Sequence, residues 1–395
     1  MAGPLEGIRV LSFGRALSGP FASMLLADLG AEVIKIEATK FGDFARGNGP
    51  FIKGIGSYFL SINRGKKSIT LNLKAARAKK IVFKLVEQMD IVLENFRPGV
   101  MDSLGLGYEA MRSHNPKIIY ASISGFGQTG PYAQRPAYDM IAQGMGGVVS
   151  ITGNQDEPPV RVGYSIGDMG ASLFAALAVC AALYERERSG EGQQIDVAMM
   201  DSQVALCENA CARYFASGEI PKPLGSRHPL LTPFQIFPTR DGHIILIAFS
   251  GPDWTNFCHA ASKEEWITDE KVNTIEARLK NYNFFEKEMN DLMRTRTTKE
   301  WLKALDEHSV MCGPVNSIEE VVNDPHVQAR EMIQEVTHSR AGKLKVVGTP
   351  MKFSRTPCQI EKASPDLGEH TEEIALSLLG LSEEELETLR KEGVI

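Results

Sequence analysis

Short apolar runs alternate with amphipathic stretches along the first half of the chain. Residues 8–13 and 31–37 have the apolar composition of buried strands, and residues 21–29 between them carry the apolar period of a helix. A strand, a helix and a strand within about thirty residues form a βαβ unit, which requires a parallel sheet and a right-handed crossover. The opening pattern therefore predicts a parallel sheet.

This alternation continues to about residue 199. Strands are predicted over residues 90–94, 117–124 and 194–199, and residues 67–73 are predicted to pair locally. Amphipathic helices are predicted over residues 75–89 and 100–112, and a long apolar helix follows Asp168. The fold class expected from this order is α/β, with one large, doubly wound, Rossmann-like parallel-sheet domain.

The composition changes after a predicted helix over residues 201–216. Residues 217–233 contain four prolines without a clear period, as is typical of a linker. A hairpin is predicted over residues 234–249 and charged helices follow it, which indicates a smaller α+β domain. We expect a large domain over 1–216, a linker over 217–233, the small domain over 234–324, and a segment over 325–395 that returns to the large domain. That last segment is predicted to contain a hairpin over 337–347 and two short helices, one opened by a capping box of Ser382 and Glu385.

Net charge and targeting signals narrow the possible partners. The 43 basic and 49 acidic side chains give a formal charge of −6, which argues against nucleic acid or an anionic membrane as the main partner. No basic leader precedes an apolar run at the N-terminus. No uncharged apolar run reaches the roughly 18 residues of a membrane helix. We therefore expect a cytoplasmic protein that binds neither a membrane nor nucleic acid.

The cysteines and histidines do not predict a metal site. Six cysteines are scattered without a CxxC pair, as is typical of reduced thiols in a cytoplasmic protein. Cys207 with Cys211, and His308 with Cys312, each place two ligands at helical spacing. Because neither has a second pair at a suitable spacing, no metal is expected.

A glycine motif follows the strand predicted over residues 117–124. Residues 125–130 match GxGxxG, but Pro131 comes next and no helix is predicted before about Tyr138, so a pyrophosphate would lack its helix N-terminus. Nicotinamide and flavin are therefore not expected. The glycines are better explained by a flexible loop or by a close approach of two backbone segments.

Asp168 is the candidate for chemistry that the local pattern singles out. It lies between Gly167 and Gly170 at the start of the long apolar helix, and the next charge is Glu185. Aspartate is a favoured N-cap, so capping is the structural interpretation. A helix N-terminus also favours an ionised carboxylate and offers N–H groups to an oxyanion, so a nucleophilic role is compatible with capping.

Seven stretches, in a consistent order along the chain, resemble the family III CoA-transferases. They are residues 17–37 (LSGPFASMLLADLGAEVIKIE), 64–74 (RGKKSITLNLK), 94–99 (ENFRPG), 122–147 (SISGFGQTGPYAQRPAYDMIAQGMGG), 167–172 (GDMGAS), 185–201 (ERERSGEGQQIDVAMMD) and 365–374 (PDLGEHTEEI). The resemblance implies that CoA moves from an acyl-CoA donor to a free carboxylic acid through aspartyl anhydride and aspartyl-CoA thioester intermediates on Asp168. It also implies an interlocked homodimer that uses no cofactor besides CoA.

The same resemblance assigns the CoA contacts. They fall on Leu17, Ser18, Leu71, Asn72, Leu73, Lys74, Asn95, Phe96, Arg97, Ser103, Arg135, Pro136, Ala137 and Tyr138. A loop over the active site corresponds roughly to Phe249, Ser250 and Gly251. Lys74 and Arg97 could instead be solvated surface charges, and Tyr138 a core tyrosine. The formyl-CoA transferases of the family differ at Leu17, Ala38, Ser103 and Pro136, which favours a larger donor such as succinyl-CoA.

Two other functions stay open from the sequence. The 2-methylacyl-CoA racemases of the same superfamily pair a histidine with an aspartate, where this chain has Tyr138 and Asp139. A tyrosine with a pKa near 10 is poorly matched to that proton transfer, so the racemase is the alternative. A module that binds acyl-CoA without turnover is the noncatalytic possibility.

Overall fold

The structure, a computed structural model, describes residues 3–395. These residues form thirteen strands: β1 (Arg9–Ser12), β2 (Glu32–Glu37), β3 (Phe51–Ile52), β4 (Ile55–Gly56), β5 (Lys66–Thr70), β6 (Ile91–Glu94), β7 (Ile119–Ser124), β8 (Gln194–Ala198), β9 (Phe234–Pro238), β10 (His243–Ile247), β11 (Met311–Pro314), β12 (Ile333–His338) and β13 (Gly342–Val347).

The same residues form eighteen α-helices and two 3₁₀ turns. The helices are α1 (Ser18–Asp28), α2 (Ser57–Ile62), α3 (Ala76–Val86), α4 (Val100–Ser103), α5 (Tyr108–His114), α6 (Asp139–Met145), α7 (Val148–Ile151), α8 (Ile166–Ser189), α9 (Met199–Leu206), α10 (Glu208–Ser217), α11 (Gly251–Ala261), α12 (Ile275–Lys280), α13 (Tyr282–Met293), α14 (Thr298–Glu307), α15 (Ile318–Asn323), α16 (Pro325–Ala329), α17 (Thr371–Ser377) and α18 (Glu383–Lys391). The 3₁₀ turns span Phe44–Gly47 and Glu264–Ile267.

Six strands form one parallel sheet in the order β5-β2-β1-β6-β7-β8. Counted in chain order within this sheet, the arrangement is 3-2-1-4-5-6, that of doubly wound folds. The strand order reverses between β1 and β6. In such sheets the loops at the carboxyl ends of the strands diverge at this switch point and leave a crevice for a ligand.

Both faces of the sheet are covered, because alternate strand residues point to opposite sides. Leu11 and Val92 lie in one apolar core, which α3, α5, α17 and α18 complete. Val10 and Leu93, their chain neighbours, lie in the other core with α1, α6 and α8. The sheet is therefore buried on both faces, as parallel sheets require.

Several predicted elements differ in the structure. The helix predicted over residues 201–216 is two helices, α9 and α10. Residues 66–70 do not pair locally: β5 pairs with β2 and forms the edge of the main sheet. Helix α1 begins at Ser18, before the predicted start at residue 21, because Pro20 in a first turn needs no N–H donor there. The helix predicted over residues 100–112 is two helices, since Gly105 between them has a left-handed φ of 70°.

The chain divides into two compact units. The first contains the described residues up to Val148, together with Arg161–Ala212 and His326–Ile395. The second contains Val149–Val160 and Arg213–Pro325. The N–H of Gly225 donates to the carbonyl of Gly153 and ties residues 149–160 to the rest of this unit. The predicted domain boundaries stay a prediction.

The second unit has a core of its own. Strands β9, β10 and β11 form an antiparallel sheet, and Trp254 and Trp301 are fully buried in an aromatic cluster against it. The buried Arg278 guanidinium donates to the carbonyls of Thr232 and Phe249, which ties the preceding loops to α12.

Helix α8 is the one helix within residues 3–395 that is long and apolar enough to span a membrane by length and composition. Half of its apolar window is buried. Ala171, Ala175 and Val179 form the buried face against the sheet. Its apolar composition is thus used in part for the core of the first unit.

Candidate active site

A cavity of about 710 Å³ opens at the switch point of the sheet. The loops after β1, β6 and β7 form its walls, and the first turn of α8 brings Asp168 into it. Two further walls come from Tyr58 at the start of α2 and from the segment that contains Phe44 and Asn48. Every lining residue belongs to the first compact unit.

The turn from β1 into α1 is unusually tight. A Cβ on Gly19 would lie 2.7 Å from the Cα of Gly14, so neither position has room for a side chain. Asn95, which follows β6, holds the outside of this turn: its amide oxygen accepts from the N–H of Arg15, and its amide nitrogen donates to the Arg15 carbonyl. The same amide nitrogen donates to the Ser18 hydroxyl at 2.9 Å.

Ser18 connects this turn to Asp168. Both residues line the cavity, and the Ser18 hydroxyl and backbone N–H are near enough to the Asp168 carboxylate to lower its pKa. The Ser172 hydroxyl donates to the carbonyls of Ser18 and Asp168, at 2.8 and 2.7 Å, and fixes the start of α1 against the first turn of α8. The N-termini of two helices therefore meet at one carboxylate.

Burial raises the pKa of Asp168 to about 6, and the nearby Asp139 charge adds to the increase. The two donors of Ser18 act in the opposite direction and lower the pKa. Loss of hydration therefore outweighs these donors, and the pKa lies above its ordinary value. At neutral pH the ionised form still predominates.

Asp168 is also not the N-cap of α8. The cap position is Ser165, and the carboxylate that satisfies the first turn is that of Asp139, which accepts the N–H of Gly167 at 2.8 Å. The second Asp139 oxygen accepts from the Gln143 amide at 2.8 Å. Because Asp139 performs the capping, the Asp168 carboxylate faces the cavity.

Two other titratable groups near the cavity are perturbed. Burial, with smaller contributions from Asp168, Asp43 and Asp139, raises the pKa of Tyr58 to about 12, so its hydroxyl stays protonated. Burial raises the pKa of Glu94 to about 7, although Ser122 and the N–H of Phe96 hydrogen-bond to it. Glu94 thereby anchors the loop that follows β6.

The structure brings most of the residues predicted to contact CoA to two neighbouring cavities. The large cavity is lined by Leu17, Ser18, Asn95, Phe96, Arg97, Arg135, Ala137 and Tyr138, together with Asp168. A second cavity of about 230 Å³ is lined by Leu71, Asn72, Leu73, Lys74 and Phe96. Arg15 and Phe96 border both cavities, so a ligand that occupies both would pass between them.

Some predicted residues lie outside these cavities. Ser103 is exposed at the end of α4, and its hydroxyl donates to the Val100 carbonyl. Pro136 is exposed between two lining residues. Tyr138, by contrast, lines the larger cavity; its side chain is 73% exposed, so it is not a core tyrosine. The CoA assignments at these positions stay predictions.

The predicted substrate loop belongs to the second unit. Ser250 caps α11, with its hydroxyl accepting from the N–H of Asp253, and the Phe249 carbonyl accepts from Arg278. Gly251 is the first residue of that helix. A substrate role for these residues stays a prediction.

Several residues of the site were not predicted from the sequence. Arg15 was the easiest of them to predict, because it lies in the loop after the first strand, where a ligand of a doubly wound fold is expected. Tyr58 and Phe44 come from an insertion between β2 and β5 whose pattern carries no signal. Within residues 3–395, no three His, Cys, Asp or Glu side chains come together as a metal site would require.

A doubly wound sheet with a carboxylate in a cavity at its switch point defines an α/β enzyme that binds an extended cofactor-like ligand. A family model described as CoA-transferase family III matches residues 5–371. The chain belongs to this family, and it is therefore a transferase of the CoA-transferase class.

Individual relatives agree with the family. The chain is 38% identical over 382 residues to the succinyl-CoA:mesaconate CoA-transferase of Haloarcula hispanica, covering 94% of this chain and 96% of that protein. It is 38% identical over 393 residues to the succinyl-CoA:glutarate CoA-transferase of Mus musculus, covering 99% of this chain and 90% of that protein. A crystal structure of a CaiB/BaiF family protein from Brucella suis is similar with a TM-score of 0.87 and 34% identity, covering 96% of this chain and all of that one.

Proposed function

We propose that the enzyme transfers CoA from a dicarboxylic acyl-CoA to a free dicarboxylate, with Asp168 as the covalent nucleophile. The observation that carries this proposal is the position of Asp168: a partly buried carboxylate that does not cap its own helix and lies at the start of α8, beside the start of α1, in a cavity of about 710 Å³. A carboxylate nucleophile divides one acyl exchange into easier steps and conserves the thioester's free energy.

The steps balance without an external acid or base. An Asp168 oxygen attacks the donor thioester carbonyl, which gives a mixed anhydride and CoA thiolate. The thiolate then attacks the aspartyl carbonyl, which forms aspartyl-CoA thioester and releases the donor acid as its carboxylate. The acceptor carboxylate displaces the thiolate to form a second anhydride, and the thiolate attacks the acceptor carbonyl to give the new acyl-CoA and free Asp168.

Each attack creates an oxyanion beside the first turns of α1 and α8. The N–H of Ser18 belongs to the first turn of α1 and faces the Asp168 carboxylate, whose pKa it lowers. Such a donor is suited to follow the charge as it moves onto a tetrahedral oxygen. The Ser18 hydroxyl is held by Asn95 beside Asp168, where it can donate to the nucleophile.

The two cavities support an extended CoA. The adenosine end is assigned to the smaller cavity beside Lys74, and the pantetheine thioester to the larger one beside Asp168. Arg15 at their shared border, together with Arg97 and Arg135 in the larger cavity, supplies the cations that a pyrophosphate and a carboxylate require.

The relatives supply the argument for the substrate class. Their names pair succinyl-CoA with mesaconate or glutarate, which are dicarboxylates. A second carboxylate on donor and acceptor fits a cavity wall that carries three guanidinium groups. No contact in the site favours the racemase, because both Asp139 oxygens are engaged with Gly167 and Gln143.

Mass spectrometry after mixing with succinyl-CoA and hydroxylamine tests the proposal. We expect an aspartyl hydroxamate at residue 168 and exchange of CoA onto glutarate or mesaconate. Asp201, an exposed first-turn aspartate of α9, gives the matched control: Asp201→Asn should retain both results, whereas Asp168→Asn should lose both. Transfer that survives in Asp168→Asn would refute the nucleophile.

The proposed assembly is a homodimer. Helix α8 exposes an apolar face opposite its buried one, with Leu173 56%, Leu177 66% and Tyr184 69% exposed. Apolar faces of this kind in soluble proteins are commonly covered by a partner. Light scattering should give twice the chain mass, and Leu177→Glu should shift the species toward the monomer; a wild-type monomer at micromolar concentration would refute the dimer.

A further inference from the structure

A buried ion pair lies behind the turn that carries Ser18. The Lys35 ammonium, on the last part of β2, and the Asp43 carboxylate are 2.9 Å apart, and both side chains are almost completely inaccessible to solvent. Burial acts to raise the pKa of Asp43, but the Lys35 charge and the hydrogen bonds to the carboxylate outweigh it and the pKa is lowered. The Asp43 carboxylate is therefore ionised inside the protein.

Both members of the pair hold the loop that leads into α1. The Lys35 ammonium donates to the Gly14 carbonyl, and the Asp43 carboxylate accepts the N–H of Ala16 at 3.1 Å. Ala16 has a φ of 61°, a left-handed conformation that costs a non-glycine residue free energy and persists only where neighbours enforce it. The ion pair supplies two of the contacts that enforce it.

The same carboxylate orders the opposite wall of the cavity. Asp43 accepts the N–H of Ala45 at 3.0 Å and caps the 3₁₀ turn that begins at Phe44. Its own N–H donates to Glu37, which also pairs with Arg46 at 2.7 Å. Two walls of the site are therefore fixed from one buried pair that itself lines neither cavity.

The geometry assigns the Lys35–Asp43 pair as a positioning element for the reaction: it fixes the loop from Gly14 to Ser18 so that Ser18 reaches the Asp168 carboxylate. Two residues after Ala16, Ser18 lines the cavity with Asp168, and the Ser172 hydroxyl donates to the carbonyls of both residues, so the Ser18 N–H and hydroxyl are held as donors beside the nucleophile. If residues 14–16 were free to relax, these two donors would move away from the nucleophile. The inference rests on the proposed role of Asp168.

A second buried ion pair in the same unit provides a matched control. Arg64 and Asp28 are 2.6 Å apart and similarly buried, but Asp28 lies at the far end of α1 from Ser18. Neither residue lines the two cavities. Removing either pair deletes one positive and one negative charge, so the direct electrostatic effect on Asp168 largely cancels in both cases.

The test measures the single-turnover rate of hydroxylamine labelling at Asp168 with succinyl-CoA, between pH 5 and 8, together with the melting temperature. For Lys35→Met/Asp43→Ala we expect labelling at least about tenfold slower, because small misplacements of a reacting group are costly. In a plot of this variant's labelling rate against pH, the acid limb should move to higher pH by about one unit. The reason is that the Ser18 donors, which lower the pKa of Asp168, interact with it more weakly. Asp139 and Tyr58, the other groups that face Asp168, keep their side chains in this variant, and Tyr58 loses only the small contribution of Asp43 to its raised pKa.

Arg64→Met/Asp28→Ala should lose a similar amount of thermal stability while keeping the wild-type labelling rate and acid limb. Lys35→Met/Asp43→Asn restores an acceptor for Ala16, so its rate and limb should lie between those of the wild type and the alanine variant. If the alanine variant does not fold, the labelling rate and acid limb of the asparagine variant are compared with those of the wild type instead.

The outcomes separate the two claims. A wild-type rate and acid limb in the Lys35 and Asp43 variants, with Asp168 labelled, would overturn the positioning role and leave the nucleophile standing. Absence of label at Asp168 in the wild type would instead overturn the proposed function.

Discussion

The carboxylate of Asp139 accepts a hydrogen bond from the backbone N–H of Gly167 at 2.8 Å, so the first turn of α8 is capped from another part of the chain. Capping and chemistry, which the sequence assigned to a single aspartate, are thereby divided between two. Because the two carboxylates are close, Asp139 also contributes to the raised pKa of Asp168.

The pH dependence of transfer should report this pair. With the pKa of Asp168 at about 6, the rate should fall as the pH drops through 6, because the protonated acid is not a nucleophile. Asp139→Asn removes a like charge but keeps an acceptor for Gly167, so its acid limb should shift to lower pH. Initial rates between pH 5 and 8 measure the shift; an unchanged limb would show that Asp139 does not act on the nucleophile.

Replacing the nucleophile should stabilise the protein. A carboxyl whose pKa is raised on folding destabilises the native state above its folded pKa, and this penalty disappears below its unfolded value near 3.8. Asp168→Asn should therefore raise the unfolding free energy at pH 8 by about 2 kcal/mol. The gain should shrink as the pH falls from 6 toward 4. Urea denaturation at pH 8 and pH 5 measures it, and equal gains at both values would contradict the assignment.

The turn between β1 and α1 should not tolerate a methyl group. In Gly19→Ala the Cβ would lie 2.7 Å from the Gly14 Cα and 3.0 Å from the Asn95 amide oxygen, so the backbone must shift. We expect a loss of about 1–3 kcal/mol in unfolding free energy and a large loss of activity. Gly144→Ala is the control, since its Cβ meets nothing within 4 Å and helix α6 should gain about 0.5–1 kcal/mol. Equal stabilities would contradict the close approach.

Lys74 and Arg97 should separate the two ends of CoA. Lys74 borders only the smaller cavity and Arg97 only the larger one. Lys74→Ala should raise the KM for succinyl-CoA but leave that for succinyl-pantetheine unchanged, because the shorter donor lacks the adenosine end. Arg97→Ala should raise both. Steady-state kinetics with the two donors measure the difference, and a parallel response to both substitutions would place CoA elsewhere.

The sheet could be predicted from the sequence, whereas contacts between distant segments could not. The runs that became β1, β2, β6 and β7 are buried on both faces and carry a strong local signal. Strand β5 contains Lys66 and Lys67 and lies at the sheet edge. Because it has no continuous apolar pattern, its pairing with β2 could not be predicted from the sequence.

In the site, too, residues with a local sequence signal could be predicted, and contacts between distant segments could not. Asp168 could be predicted because a lone charge at the start of an apolar helix is conspicuous. The true cap of α8, Asp139, lies 28 residues before Gly167, whose N–H it accepts, and is brought there only by the packing of α6 against α8. The Lys35–Asp43 pair could not be predicted either. A lysine within a strand pattern usually indicates a solvated side chain, whereas in this fold Lys35 is buried.

The return of residues 326–395 to the first unit has a consequence for the order in which the protein is made. The N–H of Asn72, beside the smaller cavity, donates to the carbonyl of Val394, and Arg46 donates to the carbonyl of Pro365. During synthesis the ribosome therefore completes the second unit before it delivers the last partners of the first. The contacts that residues 326–395 make within the unit that contains Asp168 can form only after the second unit has been synthesised.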